Sequence, residues 1–260
     1  MNAFTQDEWQ ALAGAEQIAV PLAAEMLDII LNRRFGVEYQ PIVETQSGEI
    51  AGYEALARFH LSDMRQISPM EMFSRLHANP LLLFHVELEM KKLQIALRPR
   101  GSQLYLNLDT DSYVQGGTGA DNPFIALFRE HAYSDAELVV EVIENLDTRD
   151  AAQSQRMIDT LLGHGMRVAL DDIGATYGLL SLGSLVDATA VKFDWGWLAQ
   201  MGQAKRRATL EWLIGMARDL GIQTVLEGVE TCDDMEQAKR LHVDYVQGFL
   251  FSRHFVKARG

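Results

Sequence analysis

From about residue 37 the chain alternates short runs rich in Val, Ile, Leu and aromatic residues with longer amphipathic stretches, the pattern of strand-helix units in a parallel sheet. The short runs are VEYQPIVE from Val37, AGYEALARF from Ala51, QLYLNLD from Gln103, ELVVEVIE from Glu137, RVALDDIG from Arg167, ATAVKFD from Ala188, QTVLEGVE from Gln223 and YVQGFLFS from Tyr245. Between them SPMEMFSRLHAN, AAQSQRMIDTLLGHG and AKRRATLEWLIGMARDLG carry helical spacing. The last two end at Gly residues suited to a left-handed helix cap, each followed almost at once by a strand. Eight strands in this rhythm predict an α/β fold and suggest a closed barrel, although an open doubly wound sheet gives a similar pattern. Residues 1–33 precede the first strand and read as a helical extension, with Pro21 as a break or helix start. Residues 34–260 then form one barrel domain, and no repeat or long linker marks another.

Composition narrows the function. The chain has 260 residues, 48% of them hydrophobic and 23% charged, as in an ordinary globular protein. Its 23 Lys and Arg against 36 Asp and Glu give a formal charge of −13, which argues against a nucleic-acid polymer as partner. A small anionic substrate is compatible with that charge if bound cations reverse the local sign. Cys232 is the single cysteine, so no intrachain disulfide forms and a cytoplasmic location is expected. The stretch IAVPLAAEMLDII is too short and too polar to span a bilayer, and no signal-peptide pattern precedes it.

Chemistry in such barrels sits at the C-terminal ends of the strands. There the runs place Gln40, Glu54, Asn107, Glu141, Asp171, Asp172, Lys192, Glu227 and Gln247. Any one acid reads as a surface residue at a loop start. Five carboxylates and an Asn ending different strands would repel one another strongly if they converged without a counter-ion. All-oxygen ligation suits Mg²⁺ or Mn²⁺, whereas no His or Cys spacing suggests zinc. A metal pair roughly 3.5 to 4 Å apart is the usual machinery for attack of water on a phosphodiester.

At these residues the sequence resembles the EAL family of cyclic-di-GMP phosphodiesterases, over about Phe35 to Phe255. YQPIVETQSGEIAGYEALARF carries Gln40, the name motif Glu54-Ala55-Leu56 and Arg58; LNLD carries Asn107; VVEVIEN carries Glu141 and Glu144; ALDDIG carries Asp171 and Asp172. VKFD adds Lys192 and Asp194, LEGVE adds Glu227 and Glu230, and VQGFLFS adds Gln247 and Gly248. The resemblance implies a TIM-like (β/α)8 barrel of the EAL type that hydrolyses cyclic-di-GMP to linear pGpG with two Mg²⁺ or Mn²⁺ ions, Ca²⁺ being inhibitory. It implies that Glu54, Asn107, Glu141 and Asp171 hold one ion and that Asp171, Asp172 and, directly or through water, Glu227 hold the other. Lys192 would stand beside the attacking water, with Glu54, Lys192 and Glu227 as the catalytic set. Gln40, Arg58, Asp194, Glu230 and Gln247 would face the substrate, and Glu144 would support the metal site from behind. A homodimer and an unidentified regulatory protein are further expectations.

The chain departs from the family pattern where relatives read like DDFGTGYSSL: Ile173 stands for Phe and Thr176 for Gly. His254 replaces a common Pro, and NPLLLFHVELEM lacks the usual Gly-Leu connection. The loop changes keep open an alternative function, a receptor that binds cyclic-di-GMP without cutting it. QGGTGAD reads as a loop, the trio Lys205, Arg206 and Arg207 as a solvated helix face, and Cys232 as a spectator.

Overall fold

The computed structural model describes residues 23–132, 138–143, 148–173, 182–194, 196 and 204–260. Among the described residues ten strands follow in chain order: β1 (Phe35–Glu44), β2 (Ile50–His60), β3 (Gln66–Ile67), β4 (Gln103–Asn107), β5 (Leu138–Ile143), β6 (Arg167–Ile173), β7 (Ala190–Phe193), β8 (Gln223–Leu226), β9 (Tyr245–Val246) and β10 (Val256–Arg259). Strands β1, β2 and β4 to β9 close into an eight-stranded barrel because β1 pairs with both β2 and β9. The all-parallel expectation needs one correction. β1 runs antiparallel to both neighbours, joined to β2 by a hairpin, whereas β2 and β4 to β9 are mutually parallel. An alternating strand pattern reads the same in either direction, so hydrophobicity alone carries no polarity.

The strand boundaries also shift. Of YVQGFLFS only Tyr245 and Val246 are extended, and Phe249–His254 winds into a 3-10 turn before β10 returns to pair with β1. Gly248 separates the two, and a Cβ there would overlap the Val229 backbone.

The helices begin where local chemistry caps them. The Ser68 side chain accepts from Glu71 N–H ahead of Pro69–Leu76, and Asn79 does the same for Pro80–Ala96, with Pro at the first turn of each. Thr231 and Asp234 form a reciprocal capping box on Cys232–Leu241. The helices Thr148–Gly163 and Ala204–Asp219 are followed by Gly165 and Gly221, both at φ 74°, before β6 and β8, as their sequences predict. Within the N-terminal extension the described helix is Ala23–Leu31, packed by Ile29 and Ile30; Pro21 lies outside the described residues. Among the described residues no helix is long and apolar enough to cross a membrane.

The barrel interior is filled by a layer of Ile42, Tyr105, Val139, Ala169, Ala190 and Val225, with Tyr245 against it. On β2 the in-register partner of Ile42 is Gly52. Side chains on one face of a strand recur every second residue. One step towards the C-terminal ends of the parallel strands therefore stand Glu54, Asn107, Glu141, Asp171, Lys192, Glu227 and Gln247, and on the reversed β1 the same level is reached at Gln40. The apolar layer is the floor of the site.

Candidate active site

Lys192 is fully buried at the centre of that upper layer. Its Nζ lies 2.7 Å from both Glu141 Oε1 and Glu227 Oε1, and 3.4 Å from Glu54 Oε2 and Asp171 Oδ1. Glu54 is held from both sides: its Oε1 accepts from Asn107 Nδ2 at 2.7 Å and its Oε2 from Gln247 Nε2 at 2.6 Å. Thus seven predicted residues from seven strands or strand ends meet in one cluster. Gln40 is the cross-strand partner of Glu54.

Adjacent residues on a regular strand face opposite sides, so Asp171 and Asp172 would not share a site without a local distortion. The distortion is present. The β6–β7 register breaks between Leu170 and Ile173, and Asp172 adopts a left-handed backbone at φ 57°, a conformation that Asp tolerates better than most residues. As a result Asp171, Asp172 and Glu227 each offer an oxygen within 4.8 Å of the others.

Electrostatics show how far this cluster is from balance. Burial, reinforced by neighbouring acids, pushes the Glu141 and Glu227 carboxyls well above the usual carboxylate range. Asp171 is raised by burial and by Glu54, and Asp172 is pushed up to about 7 by burial and by Asp171 and Asp194. Burial also opposes ionisation of Glu54, but Lys192 and the hydrogen bonds from Gln247 and Asn107 outweigh it and hold its carboxyl below the ordinary value. Burial works against the Lys192 charge too, and the surrounding acids overcome it, holding the ammonium protonated. Neither Glu141 oxygen has a partner in hydrogen-bonding geometry despite the nearby ammonium. Five carboxylates around one ammonium would leave four negative charges, the charge that two divalent cations neutralise. An all-oxygen donor set with orphaned buried carboxylate oxygens fits such a metal pair.

The remaining predicted residues are placed less centrally. Asp194 is half-buried just beyond β7 and accepts from Gly196 N–H. Glu230 is exposed at the start of the Cys232–Leu241 helix, where its N–H is bonded to Asp234. Glu144 and Thr176 fall outside the described residues; Ile173 is buried and in register with Phe193. Cys232 and Lys205 are exposed.

Arg58 and Gln40 converge on a residue the sequence reading passed over. Glu38 Oε1 accepts from Arg58 Nη2 at 2.6 Å and from Gln40 Nε2 at 3.1 Å, and Lys257 Nζ of β10 lies 3.4 Å from its other oxygen. The available signal was an acid two residues before Gln40, hence on the same strand face, inside an apolar run. A cavity of about 480 Å³ at the opposite end of the barrel, lined by Glu44, Arg218, His242, Asp244 and Tyr245 among others, contains none of the cluster.

The chain is similar to several known proteins. The EAL domain profile matches residues 23–254. The bifunctional diguanylate cyclase/cyclic di-GMP phosphodiesterase MucR of Pseudomonas aeruginosa is 28% identical over 97% of the chain, which spans only 36% of MucR's own length. The Klebsiella pneumoniae BlrP1 manganese/cy-diGMP complex superposes with a TM-score of 0.69 at 25% identity, covering 87% of this chain and 56% of BlrP1. The Bacillus subtilis YkuI protein, solved with c-di-GMP and calcium, superposes with a TM-score of 0.74 at 20% identity, covering 90% of this chain and 58% of YkuI, and supports the barrel fold.

Proposed function

The chain belongs to the EAL domain family, and on that premise we propose that it is a metal-dependent phosphodiesterase that opens cyclic-di-GMP to linear pGpG. The observation that carries this reading is the ring of Glu54, Glu141, Asp171 and Glu227 around Lys192, with Asn107 and Asp172 completing an all-oxygen donor set. Glu54, Asn107, Glu141 and Asp171 would hold one Mg²⁺ or Mn²⁺, and Asp171, Asp172 and Glu227 the second. When bound, the ions supply Lewis acidity that makes water a better nucleophile and offsets charge growing on the phosphoryl oxygens.

The chain's own groups do the rest. Lys192 keeps a fixed positive charge at the level of the carboxylates, which offsets their mutual repulsion. Gln247 and Asn107 fix both oxygens of Glu54, which restrains its rotamer. Gln40 and Arg58, at the mouth, would bind the dinucleotide, Arg58 through its fork of N–H donors. Asp194 and Glu230 would face the ligand from the far rim. The same reading places the protein in the cytoplasm, as a homodimer under control of a partner protein.

The test is to incubate the purified protein with cyclic-di-GMP and Mg²⁺ or Mn²⁺ and resolve the products by chromatography. Linear pGpG as product is the expected result. Binding without any cleavage would replace the enzyme with a receptor, and absence of both would overturn the reading.

A further inference from the structure

We propose that Glu38 is a positioning residue that orders Gln40 and Arg58 as a single preformed grip for the cyclic dinucleotide. The inference rests on the phosphodiesterase reading above and adds to it a residue of the substrate mouth. Glu38 lies two residues before Gln40 on β1, one layer beyond Gln40 and two layers out from the floor residue Ile42. It is 6% exposed, an unusual place for a carboxylate unless its partners are exacting. They are. One oxygen, Oε1, accepts from both Arg58 and Gln40, and Arg58 Nη1 donates in addition to the Ala57 carbonyl at 2.8 Å. Two nitrogens of the guanidinium are thereby anchored and its plane is set.

A guanidinium has five N–H donors, so these two bonds leave others to meet an incoming anion. Arg and Gln side chains lose considerable rotamer freedom when a ligand orders them, and that cost lowers affinity. Glu38 meets the cost within the free protein. Strand β10 takes part, because Lys257 is the in-register partner of Glu38 and its ammonium stands 3.4 Å from Oε2. The carboxylate, standing between these two cations, also offsets the repulsion between Arg58 and Lys257.

The opposite role is equally definite in what it requires. Were Glu38 a latch that competes with the substrate phosphate for Arg58, its removal would tighten binding. Glu38→Ala separates the two. Steady-state hydrolysis with Mn²⁺ and calorimetric binding of cyclic-di-GMP with Ca²⁺ should show KM and Kd raised roughly tenfold, the scale of losing hydrogen bonds to a charged group, with kcat changed less than about twofold. Glu38→Gln, whose Oε1 can accept the same two bonds, should recover most of the loss. In a Gln40→Ala, Arg58→Ala background, Glu38→Ala should have little further effect on Kd. If Glu38→Ala does not fold, Glu38→Leu fills the same volume in the wall and must show the same rise.

An unchanged or lowered KM in the folded Ala or Leu variant overturns the proposal, as does a fall in kcat at constant KM. So does a Gln variant as impaired as the Ala variant. Wild-type protein that neither binds nor cleaves cyclic-di-GMP overturns the phosphodiesterase reading and this proposal together. Normal wild-type behaviour with silent Glu38 variants overturns this proposal alone.

Discussion

Lys192 sets the energetics of the site at the scale of single residues. Its ammonium has no exposure and four carboxylates within 3.4 Å, so removing it leaves buried acids without the cation they surround. Breaking a buried ion pair by deleting one partner costs about 3 to 5 kcal/mol. Lys192→Met should therefore lower the melting temperature of the metal-free protein sharply, and Mn²⁺ should restore part of it by taking over the neutralising role. A melting curve that ignores the substitution would show that the ring is not held together as described. Glu141→Gln should behave in the opposite way. Burial holds the Glu141 carboxyl well above the ordinary range, Oε2 has no partner, and three other carboxylates remain to neutralise Lys192, so the neutral amide relieves a penalty of the metal-free state. The expected outcome is an equal or higher melting temperature without metal, a smaller gain on adding Mn²⁺, and turnover reduced by about 100-fold or more, since losing even a group that only supports a metal ligand typically costs about 10- to 100-fold. Near-native turnover would show that Glu141 is no ligand.

At the scale of elements, His77 joins two parts of the wall around the site. It follows the Pro69–Leu76 helix, its Nδ1 contacts the Phe73 carbonyl at 2.8 Å, and its Nε2 meets Asp109 Oδ2 at 2.9 Å in the loop after β4. The Asp109 hydrogen bond is the largest reason that the imidazole is raised to about 9 from an ordinary 6.5. A raised folded-state value means that the contact stabilises fully below pH about 6.5 and that this contribution is lost as pH rises through about 9. Between those values the melting temperature should fall with pH in the native protein and fall less in His77→Gln; identical slopes would remove His77 from the account. The ligand level was legible because acids, Asn and Lys recur at every second position beyond apolar floor residues, as in Val139 to Glu141, Ala169 to Asp171 and Ala190 to Lys192. The direction of β1 was not, since alternation is symmetric under reversal, and neither was the left-handed turn at Asp172 that brings it beside Asp171. The Glu38 contacts depend on register between β1, β2 and β10, and β10 is too short and too exposed to announce itself by pattern.

The whole molecule carries a formal charge of −13, and its site adds a concentrated share of that charge at the barrel mouth. A cyclic dinucleotide with two phosphodiesters is itself an anion, so without bound cations the protein should repel it. For the phosphodiesterase proposed above, metal binding is expected to be coupled both to stability and to catalysis, and the two couplings separate by ion. A cation that binds only the folded state stabilises it by about 2.7 kcal/mol at a free concentration 100 times its Kd. For a domain of this size each kcal/mol moves the melting temperature by roughly 2 to 4 °C, so Mg²⁺ or Mn²⁺ at that level should raise it by about 5 to 10 °C. Excess EDTA should abolish both the rise and the hydrolysis. Ca²⁺ should raise the melting temperature comparably and support cyclic-di-GMP binding while giving little turnover, because its larger and looser coordination shell does not hold water and phosphate at the spacing the reaction needs. Full turnover in excess EDTA would exclude the metal-dependent mechanism. Turnover with Ca²⁺ equal to that with Mn²⁺ would leave the metal requirement intact but show that the oxygen cage around Lys192 does not discriminate between ions by coordination size.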